Sequence, residues 1–180
     1  MKFTIVFLFG LLILCVVSPQ EERLQLGEVS TADLLSTFVA VQDEFRARGV
    51  LKSGNSLTGD LAEHAFIQAF GWKPATRSQK GFDANSGGSR IQIKARRLSR
   101  SGGNEQLGAI RDLAGFDVLA AVLFDRQYRV VVASLIPVDV VVRKAKFNQY
   151  TSSYRLMYDE TLRSDEDVTD VTLRLKEIAF

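Results

Sequence analysis

The chain has 180 residues, of which 46% are hydrophobic, 9% aromatic and 24% charged, so it can bury one hydrophobic core and is short for two domains. This composition excludes a disordered, collagen-like or low-complexity protein, because such chains lack the apolar surface that offsets the entropy cost of folding. One cysteine, Cys15, and one histidine, His64, exclude an internal disulfide and a Cys/His zinc site. The net charge is only +2, yet residues 71–111 carry nine basic and two acidic side chains, which favours a polyanion partner or a solvated basic face.

The N-terminal residues 3–20 carry no charge, and residues 3–17 are almost wholly apolar. This pattern is typical of a secretory signal or a short membrane anchor. Three interpretations stay open: a cleaved signal, an anchor that holds the protein at a membrane through residues 3–17, and a start codon assigned too early. The first two predict an exported or membrane-associated protein, and the third predicts a cytoplasmic one. The predicted organisation is a signal-like or anchor-like segment (1–20), a linker (21–29) and one folded domain (30–180).

Two helices are predicted at the start of the folded domain. Ser30 followed by Asp33 resembles a capping pattern, and apolar residues at helical spacing follow it, which predicts a helix over 30–48. A second helix is predicted over 58–70, with an apolar stripe on one side and Gly71 as its C-terminal stop. The stripe consists of Leu61, Ala65 and Ala69.

The middle of the chain predicts a sheet. Residues 76–88 are rich in Ser, Gly, Lys and Asn and are mostly turn, with a short strand over 81–84. Residues 90–96 alternate between apolar and polar side chains, as a half-buried strand does. Residues 118–124 are continuously apolar, which is typical of a strand buried on both faces, and residues 128–135 predict a hairpin with that strand.

The C-terminal part adds shorter elements. Pro137 suits the first turn of a short helix that extends to about residue 145. An edge strand is predicted over 154–158, and apolar residues at helical spacing predict a closing helix over 168–178. This order of elements predicts an α/β fold with a small mixed central β-sheet flanked by helices.

A small set of polar residues suggests chemistry. Period-two geometry places Gln92 and Lys94 on the same face of the strand over 90–96, although a strand with one solvated face has the same pattern. If this strand forms a hairpin with a two-glycine turn, the carboxylate of Asp83 lies beside them. Carboxylate, amide and backbone oxygens suit a hard cation such as Mg²⁺, and a neighbouring ammonium can orient or deprotonate a water that attacks a phosphodiester.

Three stretches carry a resemblance to a known family: Gly59-Asp60-Leu61-Ala62-Glu63, Gly81-Phe82-Asp83-Ala84 and Arg90-Ile91-Gln92-Ile93-Lys94-Ala95-Arg96-Arg97. They resemble the PD-(D/E)XK nuclease superfamily, in particular its variants with Gln in the middle motif (QxK) and small bacterial families that read roughly G-D/E-x-x-E, G-Y/F-D-A and Q-I-K-A-R. The resemblance extends over about residues 30–178 and implies the restriction-endonuclease-like fold.

The resemblance also implies a role for each motif residue in a magnesium-dependent or manganese-dependent (Mg²⁺ or Mn²⁺) endonuclease. It implies Asp83 as the principal metal ligand, Glu63 as a supporting carboxylate, Gln92 as a substituted second ligand, the Ile93 carbonyl as a further ligand, and Lys94 as the catalytic lysine. No proline precedes Asp83, and Gln92 replaces an acidic ligand. The neutral amide removes one negative charge from the metal site, so the fold could also serve binding alone.

The predicted partner is nucleic acid, with DNA as the expected substrate. Arginine makes bidentate bonds to phosphate, and four arginines are predicted to contact the nucleic-acid backbone: Arg90, Arg96, Arg97 and Arg100. Two alternatives stay open. One is a catalytically inactive nucleic-acid-binding module on the same fold, and the other is a membrane-tethered or exported protein that binds another anionic partner. The oligomeric state and the choice between DNA and RNA are left open by the sequence.

Overall fold

The structure is a computed structural model that describes residues 26–52, 56–76, 81–99 and 105–178. The predicted signal-like or anchor-like segment (1–20), most of the predicted linker and Arg100 lie outside these ranges. Within them, no helix combines the length and apolar character that crossing a membrane requires. The chain divides into two compact units, Met1–Val39 and Ala40–Phe180.

The described residues form five helices and eight strands. The helices are α1 (Thr31–Ala47), α2 (Leu57–Phe70), α3 (Val138–Lys144), α4 (Glu160–Arg163) and α5 (Thr172–Lys176). The strands are β1 (Lys73–Pro74), β2 (Ala84–Ser86), β3 (Ser89–Arg97), β4 (Val118–Phe124), β5 (Val130–Pro137), β6 (Lys146–Asn148), β7 (Ser153–Arg155) and β8 (Thr169–Asp170).

Helices α1 and α2 agree with their predicted bounds to within one residue. The Ser30 hydroxyl donates to Asp33 Oδ2 (2.7 Å), and the Asp33 N–H donates to Ser30 Oγ (3.2 Å), so the predicted cap forms at the start of α1. At the end of α2, the Gly71 N–H donates to the Ile67 carbonyl at 2.8 Å. No residue of α1 is buried, whereas α2 buries Leu61 and its neighbours against the sheet.

Six of these strands form one mixed sheet in the order β1-β2-β3-β4-β5-β8, and β6 and β7 form a separate two-stranded ribbon. The neighbours in the large sheet are antiparallel except for β3 and β4, which are parallel from Ile91 opposite Val118 to Arg97 opposite Phe124. A parallel pair needs a crossover connection, and the connection between β3 and β4 packs Leu107 and Phe116 into the core on one face of the sheet. The predicted α/β fold with a small mixed central sheet is confirmed.

Strand β4 is buried on both faces, as its continuous apolar sequence predicts. Successive strand side chains point to opposite faces. The side chains at positions 120, 122 and 124 join the core under α2 and α5, and those at 119, 121 and 123 join the core under α3 and α4. Helices α2 and α5 are linked by Arg174, whose Nε donates to the Ala69 carbonyl (2.9 Å) and whose guanidinium lies 4.1 Å from the centre of the Phe70 ring.

The prediction of a closing helix over 168–178 is wrong in part. Residues 169–170 pair with β5 instead, and the helix is confined to Thr172–Lys176. Asp170 Oδ1 accepts the Thr172 N–H at 2.7 Å, and the Thr172 hydroxyl donates to the Ala133 carbonyl at 3.3 Å. The first contact satisfies the Thr172 N–H, which a longer helix would have bonded within itself, and the second ties the start of α5 to β5.

The strand predicted over 154–158 is also shorter and placed differently. Strand β7 covers Ser153–Arg155 and pairs with β6, with Phe147 opposite Tyr154, rather than with the large sheet. Helix α4 is not predicted from the apolar pattern because it has only four residues. Its start is fixed by Asp159, whose Oδ1 accepts the Leu162 N–H at 3.0 Å, a side-chain cap of the kind that begins short helices.

Candidate functional site

The turn between β2 and β3 places Asp83 beside β3. Gly87 and Gly88 have φ angles of 55° and 92°, which primed hairpin turns require and residues with a Cβ adopt at a cost. In the resulting register the Asp83 N–H donates to the Ile91 carbonyl (2.8 Å), and Asp83 Oδ2 accepts the Ile93 N–H (2.7 Å). The hairpin thus places the Asp83 carboxylate at the edge where β2 leaves β3, and the role of Asp83 as a metal ligand stays a prediction.

Gln92 and Lys94 lie on the face of β3 opposite to the buried Ile91 and Ile93, as period two predicts. The Gln92 amide donates from Nε2 to the Gly81 carbonyl at 3.1 Å, which fixes the orientation of the amide. The other amide atom, Gln92 Oε1, is buried without a hydrogen-bond partner among the described residues. An unpartnered buried acceptor is costly, so this atom is suited to a ligand that supplies a positive charge or a proton.

A close approach of two loops supports the Gln92 amide. Gly81 has a φ of 96°, and a Cβ at this position would lie 3.0 Å from the Gly115 Cα. Real Cβ atoms rarely come so near to a neighbouring backbone atom, so the loop conformation requires glycine at position 81. The loop that begins with this glycine therefore presents both the carbonyl that holds Gln92 and, two residues later, Asp83.

Glu63 comes to this edge of the sheet from helix α2. The helix buries Leu61 and Phe66 in the core that contains Ile91 and Ile93 of β3, which leaves Glu63 half-buried on the flank of the helix. Burial raises the pKa of Glu63 from its ordinary 4.5 to about 7, and the negative charge of Asp83 adds to this effect. The negative charge of Asp83 thus acts on Glu63, and the role of Glu63 as a supporting metal ligand stays a prediction.

Two charged residues of this region were missed by the sequence reasoning. Asp60 is buried, and its Oδ2 accepts the Lys52 N–H at 2.9 Å. The Asp60 charge contributes to the raised pKa of Glu63, whereas the Lys52 charge acts in the opposite direction. Asp60 stands inside the quoted Gly-Asp motif and could have been singled out as a buried helix residue, but nothing in the sequence near Lys52 indicates this contact.

Lys94 is the cation that β3 contributes to the site. Burial lowers the pKa of Lys94, and the charge of Arg111 lowers it further, against the opposing effect of Asp83 and Glu63. Burial also raises the pKa of Asp83, while the hydrogen bond from the Ile93 N–H and the charge of Lys94 act in the opposite direction. Burial therefore disfavours the charged form of both Asp83 and Lys94.

A cavity of about 720 Å³ opens beside Lys94 and Gln92, and Arg111 and Asp112 are also among its lining residues. Arg111 belongs to the connection between β3 and β4, and the sequence reasoning did not select it. Its only signal was its place at the end of the basic stretch over 71–111. The cavity thus joins the predicted lysine to a second cation, which suits the charge of a phosphodiester.

The oxygen donors at this edge fit a hard divalent cation such as Mg²⁺ or Mn²⁺. They are the carboxylates of Glu63 and Asp83, the unpartnered Gln92 Oε1 and the Ile93 carbonyl, which points to the same edge as the Ile91 carbonyl because strand residues two apart are equivalent. The hydrogen bond to Asp83 Oδ2 leaves further acceptor capacity on that carboxylate. Only two of these donors are charged, and the described residues contain no group of three His, Cys, Asp or Glu side chains suited to a metal.

Three of the four arginines predicted to contact phosphate lie within the described residues, and these three have partners within the protein. Arg90 forms a bidentate ion pair with Asp117, with Nη2 2.7 Å from Oδ1 and Nε 3.1 Å from Oδ2. The Arg96 guanidinium donates to the Gln106 carbonyl at 2.8 Å, and the Arg97 guanidinium lies 4.9 Å from the centre of the Tyr128 ring. These contacts order the basic face, and the contact of these arginines with nucleic acid stays a prediction.

No protein-family model matches the chain, and no curated protein matches it. Among solved structures, the chain is similar to a bacterial homing endonuclease, with 19% sequence identity and a TM-score of 0.38. The matched region covers 63% of this chain and 84% of the endonuclease chain. This likeness is too distant to carry an inference about activity, substrate or site residues.

Proposed function

We propose that the protein is a metal-dependent nuclease-like hydrolase that cleaves phosphodiester bonds in DNA. The observation that carries the proposal is the convergence of Glu63, Asp83 and Lys94 at one edge of the sheet. Burial raises the pKa of Glu63 and of Asp83 and lowers that of Lys94, and the charge of Asp83 raises the pKa of Glu63 further. Of the three residues, Lys94 lines the cavity, and a titratable group perturbed by burial at a cavity is typical of catalytic sites.

Each side chain has a distinct task in this proposal. A divalent cation bound by Glu63, Asp83 and the Ile93 carbonyl would supply Lewis-acid polarisation of the phosphoryl group. Lys94 Nζ, with its lowered pKa, would take a proton from the attacking water while the water oxygen bonds to phosphorus. The phosphorus–oxygen bond to the leaving group then breaks, and the leaving oxygen takes a proton from solvent in the cavity. Arg111, which lines the same cavity as Lys94, would hold the negative charge of the phosphodiester.

The experiment uses the full chain with supercoiled plasmid DNA in the presence of Mg²⁺ or Mn²⁺, with a chelator as the blank. Nicking or linearisation should require the cation and should be lost in Asp83→Asn and Lys94→Met. These substitutions keep the size of the side chains, so thermal melting should show a folded protein. Lys176→Met, at an exposed lysine of α5, is the matched control and should cut normally. Cleavage that survives Lys94→Met, or that needs no divalent cation, would refute the proposal.

A catalytically inactive nucleic-acid-binding module is the second candidate. It is favoured by the contacts of Gln92 and Asp83, since Gln92 Nε2 supports the Gly81 loop and Asp83 Oδ2 supports the Ile93 N–H at the strand edge. In this candidate both residues have a structural task and no metal is needed. Salt-dependent binding of DNA by a protein that leaves plasmid intact with every divalent cation would favour this candidate, because phosphate contacts give a steep salt dependence.

A further inference from the structure

The ribbon formed by β6 and β7 carries two like charges directly opposite each other. Lys146 and Arg155 are cross-strand partners in the register of the ribbon, and both are exposed. Like charges in this arrangement destabilise a two-stranded pair, and neither side chain forms an ion pair with a described residue. The stability lost by this pairing indicates that the two cations serve a purpose outside the ribbon itself.

The surroundings of this pair are poor in negative charge. Residues 140–158 contain four basic side chains and no acidic one. Two of the four, Arg143 and Lys144, pair with Asp165 at 3.4 Å and 3.3 Å. Lys146 and Arg155 are therefore the basic pair of this segment that is presented to an external anion.

An aromatic side chain lies at the tip of the same ribbon. Tyr150 is 96% exposed, although it stands on an ordered turn in which Asn148 Oδ1 accepts the Tyr150 N–H at 2.9 Å. A cavity of about 780 Å³ runs along this face and is lined by Lys146, Asn148, Tyr150, Arg155 and Met157. A flat ring, an amide and two cations along one groove match the base and the backbone of a nucleic-acid strand.

The groove is continuous with the candidate active site through the backbone. The Tyr154 N–H donates to the Ile110 carbonyl (2.7 Å), and the Ile110 N–H donates to the Tyr154 carbonyl (3.1 Å). Ile110 directly precedes Arg111, which lines the cavity beside Lys94. The ribbon is thus hydrogen-bonded to the segment that forms one wall of the candidate active site, so a nucleic-acid strand bound on the ribbon would lie next to that segment.

We propose that this face of the ribbon binds a single-stranded segment of nucleic acid, with Lys146 and Arg155 on backbone phosphates and Tyr150 stacked on an unpaired base. The proposal rests on the proposed function in that it takes nucleic acid as the partner, and it adds that the substrate has an unpaired region next to the bond that is cut. An acidic protein segment would use the two cations but would gain little from an exposed ring at the tip.

The test measures binding by the full chain, in chelator, of a labelled single-stranded DNA of about 16 nucleotides. Lys146→Ala/Arg155→Ala should weaken binding about tenfold and reduce the slope of log affinity against log salt by about 1.4, since each phosphate contact contributes about 0.7 on single strands. Tyr150→Ala should weaken binding about tenfold and leave the slope unchanged, because stacking releases no counterion. Arg126→Ala/Lys176→Ala removes the same charge at exposed positions elsewhere and should leave affinity and slope unchanged.

A charge reversal separates binding from stability. Arg155→Glu puts a carboxylate opposite Lys146 and replaces the repulsion with an attraction. The melting temperature should therefore stay the same or rise while the affinity for the oligonucleotide falls by more than in the double alanine variant. A fall in both quantities would mean that Arg155 has a structural role only, and it would overturn the proposal.

The remaining outcomes also decide the matter. If affinity and salt slope do not change in the ribbon variants, the DNA binds elsewhere on the protein and the proposal is refuted. If polyglutamate binds more tightly than the oligonucleotide, the groove is a site for an acidic protein and the proposal is refuted as well. A full chain that binds no oligonucleotide would overturn the proposal as well. If the full chain binds the oligonucleotide through the ribbon but never cuts plasmid, only the proposal of hydrolase activity is refuted. If the ribbon variants cut plasmid as the wild type does, only the proposal that the ribbon binds the substrate is refuted.

Discussion

Replacing Glu63 with glutamine should stabilise the protein at neutral and alkaline pH. Burial and the charge of Asp83 raise the pKa of Glu63 from 4.5 to about 7, so the folded state holds the ionised form less well than the unfolded chain does. Below about pH 4.5 Glu63 is protonated in both states and does not change the free energy of unfolding. As the pH rises from about 4.5 to about 7, ionisation of Glu63 in the unfolded chain progressively lowers the free energy of unfolding of the wild-type protein. The glutamine variant cannot ionise at this position, so it should not show this loss.

The magnitude follows from the same two pKa values. Their difference corresponds to roughly 3 kcal/mol, and because Glu63 is only half-buried, solvent screening reduces the effect to about 1–2 kcal/mol. For a domain of this size that is an increase in the melting temperature of roughly 3–6 °C at pH 8, with no difference at pH 4.5. Added Mn²⁺ should raise the melting temperature of the wild type more than that of the variant, because the cation offsets the repulsion between Glu63 and Asp83.

Melting curves recorded between pH 4.5 and pH 8 test this reasoning. The matched control is Glu166→Gln, at an exposed glutamate in the turn after α4, which should shift the melting temperature little and by the same amount at every pH. A Glu63→Gln protein that melts at or below the wild-type temperature at pH 8 would show that the two carboxylates do not repel each other, and the description of the site would be wrong.

Three other substitutions probe the site and the core. Gln92→Glu should tighten Mn²⁺ binding in calorimetry because it adds a negative charge next to Asp83, and an unchanged heat signal would exclude a metal at this strand. Gly81→Ala should cost about 1–3 kcal/mol in denaturant unfolding, because its Cβ would lie 3.0 Å from the facing backbone, whereas Gly59→Ala meets nothing within 4 Å and should be neutral or stabilising. Tyr158→Phe should cost about 1–2 kcal/mol, because it leaves the buried Ser134 hydroxyl without the 2.7 Å hydrogen bond from the tyrosine, and adding Ser134→Ala should recover much of that loss.

The elements with strong local signals could be predicted from the sequence. Strand β4 lies at its predicted bounds because seven consecutive apolar residues have no stable place except between two packed layers. The position of Asp83 could be predicted because the two-glycine turn starts a hairpin in which Ala84 lies opposite Ile91. Asp83 directly precedes this pair, so its carboxylate reaches the Ile93 N–H. In both cases the information lies within a few residues of the element it describes.

The features that the sequence reasoning missed depend on contacts between distant parts of the chain. Residues 169–170 join the sheet only because β5 leaves a free edge there, and this edge is not visible in the local apolar pattern. Arg111 approaches Lys94 only because the crossover between β3 and β4 folds back beside the strand. The internal partners of Arg90 and Arg96 are likewise 27 and 10 residues away, so a basic stretch alone could not show which cations are held within the protein.

The connection between β3 and β4 makes the properties of Lys94 depend on the ribbon. A Cβ at Gly108 would lie 3.8 Å from Lys94 Cδ, so this connection covers the stem of the lysine and contributes to the burial that lowers its pKa. The connection is held on one side by the Arg96 guanidinium at the Gln106 carbonyl and on the other by the paired backbones of Ile110 and Tyr154. The segment that covers Lys94 is thus tied to the ribbon by two backbone hydrogen bonds, so the burial that lowers the pKa of Lys94 depends on the ribbon being in place.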